Sequence, residues 1–354
     1  MVFVYHMRVF APFPGAVDEV FDFGYLGVTF FFVLSGFVLT WSARPKVPIS
    51  TFYWRRFARI WPLHIVALIV AIPVFYTFAA IPEGSFLKPV DVGILLLSVV
   101  LLQGWWRDPA ILFSGNPAAW TLTCEAFFYA LHPWISRFLV PLATRGALIL
   151  AAGSVVYAFA YRQGMVVWPG SPLAWIPLPF ERLPEFVLGM ALAWAMRNGW
   201  RPRIHPLVGV GSMAAMIVLL ALIMRGSLSG IPYIHLVPAF TNELFTITCA
   251  LAILSLASRS LAGRRSMFES KVQVKLGEWS FAFYLIHATF ISLALRVLGP
   301  PAPSWSNLGW FFLLLAIDIA AAWALHSFIE RPVEKRMRRW KDQRDQARLQ
   351  PASV

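Results

Sequence analysis

Charge and cysteine are scarce in this chain. Only 13% of its 354 residues are Asp, Glu, Lys or Arg, about half the share usual in a soluble globular domain. No stretch is polar enough for long enough to make a separate soluble domain. There are two cysteines, Cys124 and Cys249, each inside an apolar run, which excludes a disulfide framework and a cysteine zinc site; no metal site is expected. CxxC, a phosphate-binding P-loop and GxGxxG are all missing, so no familiar nucleotide fold is indicated. A GxSxG elbow is missing too, which leaves a hydrolase-style serine acyl-enzyme without local support.

What is present is apolar. Hydrophobic residues make up 59% and aromatics 16%, with a mean hydropathy of +0.67. Runs near the ~17–25 residues needed to cross hydrocarbon recur along the chain, at 25–42, 60–81, 92–104, 119–136, 146–161, 182–196, 207–224, 236–258, 276–298 and 308–329. The expected fold is all-α, a polytopic transmembrane bundle of about ten helices in the cell membrane. The opening "MVFVYHMRVF" has only about half the length of a span, and it carries no charged n-region or cleavage site of a signal peptide.

The formal net charge of +13 sits in short loops and in the tail. That placement is the positive-inside pattern and argues against nucleic-acid binding. Arg44 to Arg59, Arg197 to Arg203, Arg259 to Lys275 and the tail from Arg331 read as cytoplasmic, and acidic "GAVDEVFDF" at 15–23 as external. Strict alternation of spans conflicts with the later basic loops, so one middle segment is expected not to cross: 92–104 first, a re-entrant 119–136 second.

Ionisable residues at membrane depth cost at least a few kcal/mol on insertion scales, so each needs a partner or a task. They are His6, Glu125, His132, His287 and Asp318. Glu125, Tyr129 and His132 follow at i, i+4 and i+7 on one helical face, where a carboxylate can accept a proton, orient an imidazole or satisfy a tyrosine hydroxyl. Ser280, Tyr284 and His287 repeat that stripe. Asp318, alone in "LLLAIDIAAAW", is expected to make a helix-packing hydrogen bond. Ser35 precedes Gly36 and reads either as a site hydroxyl or as part of a close helix contact. In "YWRRFARIWPLH", Arg56 and Arg59 lie three apart on one face; two guanidiniums so placed can fork onto phosphate oxygens or anchor to anionic headgroups.

In order along the chain, "FFFVLSGFVLTWS", "RRFARIWPLH", "WTLTCEAFFY", "LPEFVLGM", "LGEWSFAFYLIH" and "FIERPVEK" resemble the acyltransferase-3 family of integral membrane O-acyltransferases. The resemblance covers roughly 330 residues, and six strings in register make it specific. It implies one membrane acyltransferase domain over 1–332 with a basic cytoplasmic tail at 333–354. It also implies a cytoplasmic acyl-CoA donor with no permanently bound cofactor, and transfer to a hydroxyl of a sugar or polyketide acceptor.

Residue by residue, His6 matches the family's base and Arg56 and Arg59 its R-x-x-R pair, associated with the donor's phosphates. Trp120 and Glu125 match its tryptophan and acid, and Tyr284 and His287 its "YLIH" segment. In that reading Glu125 orients the His6 ring or stabilises its imidazolium. Family members carry an arginine about three turns before the histidine; Met1 lies too close to His6 for it, so the chain is expected to begin further upstream. The competing reading is a proton-coupled transporter or flippase of a glycolipid or small metabolite, because buried acids and histidines also make proton relays.

Overall fold

The computed structural model describes residues 1–44, 47–81, 86–265 and 267–349. Among them the α-helices run α1 Val2–Phe10, α2 Ala16–Asp22, α3 Gly27–Trp41, α4 Ile49–Phe75, α5 Val92–Val99, α6 Pro109–Leu112 and α7 Trp120–Leu139, then α8 Thr144–Val167, α9 Leu178–Arg197, α10 Pro206–Met224, α11 Thr241–Leu261, α12 Lys271–Leu298, α13 Asn307–Leu325 and α14 Arg331–Leu349. Among the described residues, strand is confined to a two-residue parallel pairing of Tyr76–Thr77 with Lys88–Pro89. Among the described residues seven stretches are long and apolar enough to cross a membrane; α7 and α9, 20 residues each, have the ~30 Å length but are not among them.

The run at 92–104 does not make a full span. Asp91 caps α5 by accepting from Ile94 N at 3.0 Å, and the helix stops at Val99, before a positive φ of 55° at Leu101. Eight residues rise only about 12 Å. The loop that follows is held by a buried polar cluster: Ser98 Oγ and Ser114 Oγ are 2.6 Å apart, His64 Nε2 lies 2.8 Å from Ser98 O, and Gly115 N donates to the Tyr76 hydroxyl.

The chain divides into two compact units, each discontinuous in sequence: 1–43, 131–271 and 301–307 in one, 44–130, 272–300 and 308–354 in the other. In the first, α3 packs on α9 through glycines. A Cβ on Gly36 would overlap the Phe186 carbonyl, and one on Gly189 the Val33 carbonyl, the close approach that small residues permit between helices in lipid. The second reading of Ser35–Gly36, close packing, is what α3 displays at Gly36. Arg197, in the last turn of α9, donates to Thr40 O at 2.7 Å and Ala43 O at 3.0 Å, satisfying carbonyls at the end of α3.

In the second unit, Arg296 of α12 does the same for α4, donating to Pro73 O at 2.7 Å and Val74 O at 3.1 Å. α13 continues into α14 through a π turn at His326–Glu330. Pro332, which has no N–H for the carbonyl four residues back, sits just after it. The basic tail is thus a helix as far as Leu349, and it lies along the start of α4: Trp54 Nε1 donates to Met337 O at 2.8 Å, and Thr51 Oγ1 to Asp345 Oδ2 at 2.9 Å. Asp318 differs from expectation. It is fully buried, and neither carboxylate oxygen has a hydrogen-bond partner among the described residues, because its flanks in α13 are Leu, Ala and Ile.

Candidate functional site

The basic start of α4 separates into three unlike arginines. Arg55 Nη2 is 3.3 Å from Asp342 Oδ1. Arg59 Nη1 bonds Glu330 Oε1 and lies 3.4 Å from Glu334 Oε2, while its guanidinium carbon stands 5.4 Å from the Phe281 ring centroid. Glu330 is held inside the π turn with its side chain 1% exposed, and His326 Nδ1 lies 3.2 Å from its other oxygen. Arg56 has no ion pair among the described residues. Its guanidinium lies over the rings of Phe52 and Tyr129, 5.9 and 5.5 Å from the centroids, and its Nε is buried without a hydrogen-bond partner.

Below Arg56 the polar stripe of α7 takes over. The Tyr129 hydroxyl donates to Glu125 Oε1, and Glu125 is buried at 4% exposure. Of the roles open to that carboxylate, satisfying a tyrosine hydroxyl is therefore one it performs. Arg56, Tyr129 and Glu125 form one contiguous file from the start of α4 to the middle of α7. Trp120 stands at the first residue of α7, half-buried. Across from it, the Tyr284 hydroxyl donates to Ala118 O at 3.0 Å and pairs with Thr121 Oγ1 at 2.8 Å, and Asn116 Nδ2 donates to Leu285 O at 2.6 Å. These contacts pin α12 to the turn before α7. His287 is buried, with Nδ1 2.8 Å from Tyr284 O and its ring stacked on Phe283.

His6, Ser35 and His132 belong to the first unit. Phe3, Met7 and Phe10 form the buried face of α1, and His6 flanks it, its ring edge-on to Tyr5 at 5.2 Å. Arg8, two residues on, pairs with Asp18 at 2.8 Å and with Asp22. His132 Nε2 lies 3.5 Å from Thr40 Oγ1, with its ring against Phe186.

Sequence reasoning missed Asn116 and Thr121, whose value lies in where a turn places them. It missed the Arg59–Glu330 pair, since 271 residues separate the partners. It also missed an ionic cluster of Arg162, Arg182, Glu185 and Glu243 in the first unit, although "FERLPEF" shows three charges close together in an otherwise apolar context; that density was the available signal.

Comparison with known proteins agrees with this architecture. Residues 1–327 match the family model described as an acyltransferase domain. Acyltransferase MdmB of Streptomyces mycarofaciens is 35% identical over 338 residues, covering 90% of this chain and 82% of that protein. Peptidoglycan O-acetyltransferase OatA of Listeria monocytogenes is 25% identical over 338 residues, 88% of this chain, which spans about half (51%) of that protein. O-acetyltransferase OatA of Staphylococcus aureus is 27% identical over 130 residues, 33% of this chain and 21% of that one. No solved structure gives a significant match.

Proposed function

This chain belongs to the acyltransferase-3 family of membrane acyltransferases, and on that premise we propose that it carries an acyl group, acetyl or another short chain, from acyl-CoA to a hydroxyl of a carbohydrate or polyketide-type acceptor. The observation that carries the donor half is Arg56. Arg55 and Arg59 are each committed to carboxylates, whereas Arg56 offers a guanidinium without a counter-ion at the basic end of α4. Such a group suits a phosphate, for which Arg is the side chain of choice. Arg59, tied to Glu330, fixes the helix start and contributes field rather than a free fork.

Transfer from a thioester to an alcohol needs a base for the hydroxyl, stabilisation of the tetrahedral oxyanion and a grip on the donor. His6 is the proposed base, a half-buried imidazole able to take the hydroxyl proton while the oxygen attacks the thioester carbonyl. The C–S bond then breaks with its electron pair leaving on the CoA sulfur. Glu125, through the Tyr129 hydroxyl beneath Arg56, positions the donor-side cation. The relatives' names extend the acceptor range to peptidoglycan for one of them; a carbohydrate hydroxyl is the corresponding proposal here.

The test is release of CoA thiol from acetyl-CoA by the purified full chain in detergent, with and without hydroxyl acceptors. His6→Gln keeps a hydrogen-bonding side chain of similar reach, so a packing histidine tolerates it and a base does not. Loss of a positioned base lowers the rate by roughly 10² to 10⁴. A folded His6→Gln protein that turns over at the native rate removes His6 from the mechanism.

A further inference from the structure

At the end of α9 away from Arg197, five charged side chains are drawn into the interior of the first unit. Arg162 of α8 reaches Glu181 Oε1 and Glu243 Oε1, each at 3.1 Å. Arg182 donates to Glu185 Oε1 at 2.7 Å and to Asn242 Oδ1. Asn242 Nδ2 returns to Glu185 Oε1 at 2.6 Å, and Thr29 of α3 donates to Asn242 Oδ1 at 2.5 Å. All the bonds to Glu185 and Glu243 fall on Oε1. The Oε2 atoms of both residues are buried without a hydrogen-bond partner among the described residues, and the two side chains are 3% and 4% exposed.

Both glutamates line a cavity of about 10 Å³ among α8, α9 and α11, roughly the space one water occupies. Glu181 and Asn242 line it too, engaged by Arg162 and Glu185 respectively, while Ser154 donates to Ala151 O, Thr246 to Asn242 O and Tyr161 to Leu173 O. Cys249 on α11 lies within the field of Glu185. The single Arg162 guanidinium is shared between Glu181 and Glu243, and the Glu185 and Glu243 charges repel one another. A buried charge without a counterpart is strongly unfavourable, and two carboxylates sharing a small space resolve it by taking up a proton. A sodium ion fits less well. It needs more oxygen ligands than two open carboxylate oxygens, and the Arg182 guanidinium stands beside them.

We propose that Glu185 and Glu243 bind one proton between their open carboxylate oxygens, directly or through the single water the cavity admits. The site lies beyond the acyl-transfer reading and does not depend on it. It lies at the same end of the unit as His6: Tyr5 meets the His6 ring at 5.2 Å and Tyr25 at 5.8 Å, and the Tyr25 hydroxyl lies in the fields of Arg182 and Arg162. A proton gained or lost by the pair therefore changes the field at the His6 end.

Infrared difference spectra of the purified full chain across a pH step, in H₂O and D₂O, test this. The expected result is a protonated-carboxyl C=O band with a deuterium shift, lost in Glu185→Gln and in Glu243→Gln and kept in Glu181→Gln. Asp318→Asn is measured alongside, because that buried carboxyl contributes to the same region. Glu185→Asp, which keeps the acid, should move the band rather than erase it, and this holds the test open should a Gln variant fail to fold. Retention of an unchanged band in both Gln variants, or its absence from the native protein, overturns the proposal. So does a thermal stabilisation by sodium chloride that choline chloride does not reproduce, since that identifies a metal cation as the occupant.

Discussion

Arg56→Ala should weaken acyl-CoA binding far more than removal of a tail arginine does. Among the described residues its guanidinium carries no ion pair, so the substitution strands no described carboxylate and the fold should be little disturbed. The lost term on the protein side is the contact over Tyr129, about 0.5–1 kcal/mol at a partly exposed site. The lost term on the ligand side is a charge-assisted hydrogen bond to phosphate, about 1.5–3 kcal/mol. At 1.4 kcal/mol per decade the second term is roughly a 10- to 150-fold rise in Kd for CoA. Because the phosphates are remote from the thioester, KM should rise with kcat nearly unchanged. Arg56→Lys keeps the charge without the planar fork and should fall between. Calorimetric titration with CoA and thiol-release kinetics read the two quantities. The control is Arg339→Ala on α14. Equal losses from Arg56→Ala and Arg339→Ala would reduce Arg56 to a contributor of general positive charge.

The other consequences concern stability and titration. Arg59→Ala leaves Glu330 buried without its cation, a situation that costs about 3–5 kcal/mol; the melting temperature should fall, and Arg59→Ala with Glu330→Gln should recover much of it. Gly36→Ala forces a methyl into the Phe186 carbonyl, and overpacking of this kind costs typically ~1–3 kcal/mol; a protein as heat-stable as the native one would contradict the close α3–α9 contact. Lys88, in the short strand paired with Tyr76–Thr77 after α4, has its ammonium pushed down from 10.5 to about 8 by burial. The unfolded chain therefore binds the extra proton between those values, so the Lys88 contribution to stability rises with pH across that window; melting curves in the Lys88→Met variant should lose that part of the pH dependence.

Helices and their order were legible because membrane spans need long apolar runs and the chain has little else. The short α5 was legible too, since a run of only thirteen residues at 92–104 cannot make a span once Asp91 sets the start and a turn intervenes. The stripe Glu125–Tyr129 was readable from i, i+4 spacing, and its hydrogen bond follows from that spacing. What spacing cannot give is long-range partnership. Nothing local to "RRFAR" says that Arg59 meets a glutamate in a π turn near the far end of the chain, and nothing local to "DIAAAW" says that Asp318 finds no donor. Glycines were legible as places of close approach but not as a reciprocal pair, Gly36 against Phe186 and Gly189 against Val33.

The arginine triplet shows how topology and chemistry divide one motif. The positive-inside rule is satisfied by any three cations at a basic helix start, so the rule alone leaves their individual fates open. The tail helix α14 assigns them. Its Asp342 and Glu334, together with Glu330 just before it, take Arg55 and Arg59, neutralising two of the three. Arg56 points the other way, onto the rings of Phe52 and Tyr129, and stays uncompensated. A cation kept without a counter-ion at a partly buried position costs stability. Among the described residues the neighbouring acids do not quench that charge, and in the proposed donor reading an anionic substrate group arriving at the same place is the expected compensation.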